Sequence, residues 1–223
     1  MNIDNNITLK LTELHNKLKI NNGTFNEEYP EQEMAAMFIE PNDVVLELGG
    51  NIGRNSCIIA SLLADSSTLV VFESDVNVIP MLTENRDLNN LNFQIEDCAL
   101  SNTELYQSEW ITKSADLLNS HELSSWTKVK NSTWAEVKTK YNNLKFDTLV
   151  ADCEGALYYI LRDEPTFLET FKKIIIENDF YDINHKNFVD NMFRNFGFKR
   201  VYAKSGGFGP CYEFFYEVWE KII

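Results

Sequence analysis

One stretch, Val44–Leu63, constrains this chain more than any other. Val44-Val45-Leu46-Glu47-Leu48 is a short apolar run, Gly49-Gly50-Asn51-Ile52-Gly53 is a glycine-rich turn, and Cys57–Leu63 carries an apolar face at helical spacing. A fully apolar strand, a tight turn and a helix in that order begin a unit whose next strand runs parallel to the first. The pattern recurs. Ser67–Glu73 reads as a second strand, Val76–Asn90 as a helix, Phe93–Ile95 as a third strand, Thr148–Ala151 as a fourth, Cys153–Asp163 as a helix, Ile174–Ile176 as a fifth strand and Lys186–Asn195 as a last helix. Lys199–Ala203 and Tyr212–Trp219 follow without a helix between them, which predicts an antiparallel hairpin at the end of the sheet. The whole reads as an α/β fold: a mostly parallel seven-stranded sheet with helices on both faces. Ser101–Lys145 is less regular, with an extra strand expected in Trp126–Ser132 and a short helix at Trp134–Tyr141.

At 223 residues, one domain with a single core is the natural size. Residues 1–40 read as a helical N-terminal cap, with Leu9, Leu11, Leu14 and Leu18 at roughly helical spacing and a second short helix at Glu33–Ile39, and residues 41–223 as the core. The net charge of −14 disfavours nucleic acid or an anionic membrane as the main partner. No apolar run reaches the roughly 18 residues of a membrane span, so a cytoplasmic protein is expected. Cys57, Cys98, Cys153 and Cys211 are widely spaced and form no CxxC pair, which fits reduced thiols.

Ligands of open parallel sheets bind beyond the carboxyl ends of the strands. Polar residues gather at those ends here: Glu47, Glu73, Asp97, Asp152, Glu154 and Glu177. Gly49, Gly50 and Gly53 let a ligand approach the backbone of the first turn, with Asn51 among them. A dinucleotide fingerprint needs glycine at positions 51 and 54, which hold Asn51 and Arg54, so that template fails. The acidic Glu47 before the turn suits a cationic ligand better than a pyrophosphate. Glu73, ending the second strand, is placed to accept both hydroxyls of a ribose. Asp97-Cys98 ends the third, where a carboxylate and a backbone N–H can read the edge of adenine; a simple turn cap is the competing role.

In order, VLELGGNIG (Val45–Gly53), FESDVNVIPMLTENRDLNNL (Phe72–Leu91), ALSN (Ala99–Asn102) and FDTLVADCEGALYYIL (Phe146–Leu161) resemble class I S-adenosylmethionine-dependent methyltransferases, and most of all the FkbM family of O-methyltransferases. The resemblance covers roughly Glu40–Asn178. It implies a Rossmann-like class I methyltransferase fold, S-adenosylmethionine as cofactor held by Glu47, Gly49, Gly50, Asn51, Gly53, Glu73, Ser74, Asp97 and Cys98, and a small-molecule or glycan acceptor, with a sugar hydroxyl expected first. The chain departs from the family in carrying Glu47 for Asp, Gly50 for Ala, Val150 for a frequent lysine and Leu157 for a second glutamate. Other acceptors (protein, polyketide or nucleic acid) stay open, as does a non-catalytic module that only binds the cofactor.

A hydroxyl acceptor needs help losing its proton. Asp152 and Glu154, in the motif Asp152-Cys153-Glu154-Gly155, are the candidate bases, with His185 in the loop after the fifth strand as a third. Asp152 together with Glu177-Asn178 also resembles the metal site of catechol-type O-methyltransferases, an oxygen set suited to Mg²⁺. The lysine which that family carries three residues after its Asp is Gly155 here. Lys204–Cys211, rich in glycine, is either a lid or a loose hairpin loop.

Overall fold

The computed structural model describes residues 3–108 and 111–222. Two helices come first, α1 (Ile3–Lys17) and α2 (Tyr29–Phe38), followed by strand β1 (Val45–Leu48), helix α3 (Arg54–Leu62), β2 (Leu69–Phe72), α4 (Ile79–Leu88) and β3 (Gln94–Glu96). An insert then carries β4 (Ala99–Leu100), β5 (Leu105–Ser108), β6 (Ile111–Ser114), α5 (Ser120–Ser125), β7 (Thr127–Lys128) and β8 (Asn131–Ser132). The chain returns through α6 (Trp134–Lys140), β9 (Thr148–Ala151), α7 (Ala156–Asp163), β10 (Lys173–Glu177), α8 (Ile183–Asn195), β11 (Phe198–Lys204) and β12 (Tyr216–Lys221).

The main sheet has seven strands in the order β11-β12-β10-β9-β1-β2-β3. β3, β2, β1, β9 and β10 run parallel, and β12 is antiparallel to both β10 and β11. β1, β2 and β9 are buried at every position, as strands covered by helices on both faces must be. β1 lies between β2 and β9, and the chain's path turns outward in opposite directions from it, so the crevice beyond β1 and β9 is the switch point where such sheets hold ligands. Leu11 of α1 and Met34 of α2 belong to the same hydrophobic core as β1 and β9. Among the described residues, no helix is long and apolar enough to cross a membrane, and the four cysteines are unpaired.

Several boundaries differ from the sequence reading, each for a local reason. Cys153–Gly155 is not helical: Glu154 and Gly155 sit in the left-handed region at φ 52° and 79°, so α7 begins only at Ala156. The strand expected from Tyr212 starts at Tyr216, because Gly209–Phe214 forms a 3₁₀ turn in which Pro210 has no N–H to give to a ladder. The irregular insert forms two small sheets of its own. β6, β5 and β7 pair antiparallel, while β4 pairs parallel with β8. Capping boxes, Asn119 with Glu122 and Thr133 with Glu136, start α5 and α6.

Candidate functional site

A cavity of about 520 Å³ opens at the switch point. Its floor is the turn after β1. Gly49 has φ 89°, and a Cβ there would fall 1.5 Å from the carbonyl oxygen of Asp152, so the turn and the end of β9 touch backbone to backbone and only glycine fits. The amides of Gly49 and Gly50 both donate to the carbonyl of Phe72, at 2.9 and 3.1 Å, which draws the turn onto β2. Gly50 and Gly53 serve packing: a Cβ would meet Val71 Cγ1 at 2.3 Å and Leu82 Cδ1 at 2.7 Å. Asn51 turns the chain with φ 44°, a conformation its short amide tolerates better than most side chains.

Glu73 lines the cavity, and its orientation is fixed by two backbone amides. Oε2 accepts from Asn51 N at 2.7 Å and Oε1 from Asp75 N at 2.7 Å. Each oxygen keeps a second lone pair for a ligand. Burial raises its carboxyl against the pull of those amides. Ser74 and Cys98 also stand on the wall, and Asp152 and Glu154 close the other end. The insert supplies a wall that the sequence reading missed: Leu105, Gln107, Thr112 and Val129, which with Ala156 and Ile160 of α7 make one side apolar. Nothing in the sequence pattern tied that irregular segment to the cavity.

Four expected residues are placed differently. Asp97 points to solvent and pairs with Lys130 Nζ at 2.5 Å, whose ammonium holds its carboxyl below the usual range, so it is not part of the adenine wall. Glu47 is buried behind the turn, within 3.4 Å of Asn55 Nδ2, and does not line the cavity; burial, with the charge of Glu28 adding, pushes it to about 8. Asn178 is buried, and its Nδ2 donates to the carbonyls of Phe214 (2.8 Å) and Phe215 (3.2 Å) and to Glu217 (3.2 Å), which ties β10 to β12; its Oδ1, the atom a cation would use, is enclosed without a hydrogen-bond partner. His185 lies not in a loop but in the first turn of α8, stacked on Tyr158 with ring centroids 3.7 Å apart, and it is not among the residues lining the cavity. Burial lowers its imidazole below the ordinary value.

The carboxyl ends of β9 and β10 instead gather an acidic cluster. Oxygens of Glu31, Asp152 and Glu177 lie within 4.8 Å of one another, as do those of Asp152, Glu154 and Asp179. Glu31 comes from α2 and Asp179 from just beyond β10, and neither was expected. Alternation in Glu177-Asn178-Asp179 was the available signal for Asp179. Burial, then the charges of Asp179 and Glu31, push the Asp152 carboxyl well above the carboxylate range. Burial and Asp179 raise Glu154 to about 8, and burial raises Asp179 to about 7 against the Gly155 N–H it accepts at 2.9 Å. Glu177 is pushed up by burial and by Asp152.

No family model and no curated protein matches this sequence. Solved structures do resemble it. A candidate O-methyltransferase of Klebsiella pneumoniae superposes with a TM-score of 0.53 at 12% identity, covering 97% of this chain and 90% of that one. A candidate RNA methyltransferase of Pyrococcus horikoshii gives 0.51 at 13%, covering 100% and 98%. A candidate tRNA (m1A22) methyltransferase of Streptococcus pneumoniae, solved with S-adenosyl-L-methionine, gives 0.51 at 12%, covering 85% and 71%. The chain has the Rossmann-like methyltransferase fold. At these identities the likeness reaches no further than the fold.

Proposed function

We propose that this protein is an S-adenosylmethionine-dependent O-methyltransferase acting on a hydroxyl of a sugar or glycan. The observation that carries the reading is the pairing, in one cavity, of a glycine floor against Asp152 with the amide-held Glu73 carboxylate opposite. A ribose fits that carboxylate, because each of its oxygens keeps a lone pair beyond the backbone amide it accepts. Bound there, S-adenosylmethionine would supply an electrophilic methyl group. The chain's own part is to hold and orient. Glu73 accepts the ribose hydroxyls, the backbone of Gly49–Asn51 gives close approach, Ser74 and Cys98 flank the base, and the insert's apolar wall excludes water. Asp152, at the far end of the cavity, takes the proton of the acceptor hydroxyl, with Glu154 beside it.

The hydroxyl acceptor is supported by the motifs resembling the FkbM family. Nucleic-acid acceptors, named for two of the structural neighbours, are disfavoured by the −14 charge. Four unpaired thiols fit a cytosolic setting. Mg²⁺ is a second reading for the acidic cluster, favoured by the close carboxylates of Asp152 and Glu177. On this second reading the lysine of the catechol-type site is absent, so metal would assist rather than be required; EDTA would then slow turnover without stopping it, and turnover unaltered by EDTA removes the reading.

The decisive measurement is cofactor binding. Glu73→Ala removes the acceptor of charge-assisted hydrogen bonds worth roughly 1.5–3 kcal/mol each, so affinity for S-adenosylmethionine should fall at least about tenfold by calorimetry. Unchanged affinity would refute the ribose assignment. Methylation of a panel of saccharides then tests the acceptor class.

A further inference from the structure

Beyond Asp152, the carboxyl edge of the sheet gathers more carboxyl groups than a methyl donor accounts for. Glu31, Asp152 and Glu177 face one another within 4.8 Å, and Asp152 is shared with Glu154 and Asp179 at the same spacing. Among the described residues none of these five has an ion-pair partner; the nearby cations are used elsewhere, Arg54 on Glu27 and Glu28 and Lys186 on Asp190 and Glu217. Glu31 is 7% exposed, and its Oε2 is enclosed with no hydrogen-bond partner, as is Oδ2 of Asp179. Buried carboxyls packed this closely hold protons unless a cation compensates them.

The surroundings say what kind of cation. Tyr216, 9% exposed, lies close enough to feel the charges of Glu31, Glu177 and Asp152. Its neighbour Phe215 leads to Phe208, with centroids 6.5 Å apart, and Phe208 to Tyr181 at 6.1 Å. Phe208 and Tyr181 are 65% and 52% exposed. Tyr216 is the register partner of Glu177 across the β10–β12 ladder, and a ring beside carboxylates suits an organic ammonium, which gains from both. Mg²⁺ gains nothing from rings and is usually bound through only one or two carboxylates, with waters completing its octahedron.

We propose that the acceptor is an amine-bearing sugar whose ammonium group binds among Glu31, Asp152 and Glu177, so that helix α2 is a wall of the acceptor site. This rests on the reading of the adjoining cavity as the methyl-donor site. The ammonium compensates the carboxylates, which leaves Asp152 ionised and able to take a proton from a neighbouring hydroxyl of the same sugar.

Calorimetry on the full chain tests it, with glucosamine, N-acetylglucosamine and MgCl₂ as probes, each with and without S-adenosylhomocysteine. Glucosamine should bind at least about tenfold more tightly than N-acetylglucosamine, which keeps the ring but lacks the charge. Glu31→Gln should remove that preference, and Glu13→Gln, exposed on α1, should leave it. Glu177→Gln repeats the measurement independently should Glu31→Gln fold poorly. Equal affinity for the two sugars, a preference that survives both substitutions, or Mg²⁺ that binds and is not displaced by glucosamine would each overturn the proposal. Binding of S-adenosylhomocysteine without any amine preference defeats this inference alone, whereas an amine preference without S-adenosylhomocysteine binding defeats the methyltransferase reading.

Discussion

Two sets of buried carboxylates lie a few residues apart in this molecule and are treated in opposite ways. Glu217 on β12 is 0% exposed and surrounded by donors: Lys186 Nζ at 2.7 Å, Arg200 Nη1 at 2.6 Å, Trp219 Nε1 at 3.1 Å and Asn178 Nδ2 at 3.2 Å. Glu31, Asp152 and Glu177 meet one another instead, carboxyl to carboxyl. At Glu217 the chain supplies the cations that a buried carboxylate needs, and at the cluster it supplies none.

The largest expected effect tests the site's side of this contrast. Asp152→Asn keeps shape and removes charge, so kcat should fall by roughly 10²–10⁴, the usual range for losing a general base, with S-adenosylmethionine affinity little changed. His185→Ala should cost far less, since the ring is stacked on Tyr158 away from the cavity. Steady-state rates of the pair decide the base, and a near-normal Asp152→Asn beside a dead His185→Ala reverses the assignment.

Next in size is a difference in stability. Glu217→Gln leaves Lys186 with Asp190 alone and takes the ion-pair partner from Arg200, and should cost about 3 kcal/mol, in line with breaking a buried ion pair. Glu31→Gln, the same chemical change in the other set, should raise stability by relieving repulsion. Urea melts of both proteins in matched buffer check the opposite signs; a loss of stability in both would end the distinction.

The smallest effect is a dependence on pH. Glu154 and Asp179 are raised to about 8 and about 7 from ordinary carboxylate values. The folded protein therefore holds protons that the unfolded chain has released, and stability is full below the ordinary values and lost as pH rises through 7 and 8. Without ligand, the melting temperature should drop between pH 5 and pH 8, by about 2–4 °C for each kcal/mol lost in a chain of this size. A curve that rises over that interval contradicts the carboxylate assignment.

The sheet was legible in the sequence because parallel strands are apolar throughout and each ends on a polar residue. Val45–Leu48, Leu69–Phe72 and Thr148–Ala151 needed no context to be placed. The glycine-turn end of the cavity was legible for the same reason, since Gly49, Glu73 and Cys98 lie just past strand ends. The acidic end was not. Glu31 sits in a helix more than a hundred residues from Asp152, and only packing brings them together. Asp97 shows the converse: its position at a strand end was read correctly, but the side chain's direction depends on Lys130, which arrives from the insert. The insert's own strands, two to four residues long, are too short for periodicity to register.

Helix α2 is fastened beside the glycine turn by two contacts, Arg54 Nη1 on Glu28 Oε1 at 2.8 Å and Asn51 Nδ2 on the same oxygen at 3.1 Å. It carries Glu31 one turn further on, outside the sheet and ahead of every strand. On the proposed reading, one side chain of a helix outside the sheet sets what the acceptor must carry, while the strands and Glu73 hold the donor without it. Met34, Ala35 and Ala36 tie the rest of α2 into the core, so for anyone redirecting this scaffold to a new acceptor, position 31 alone is the place to begin.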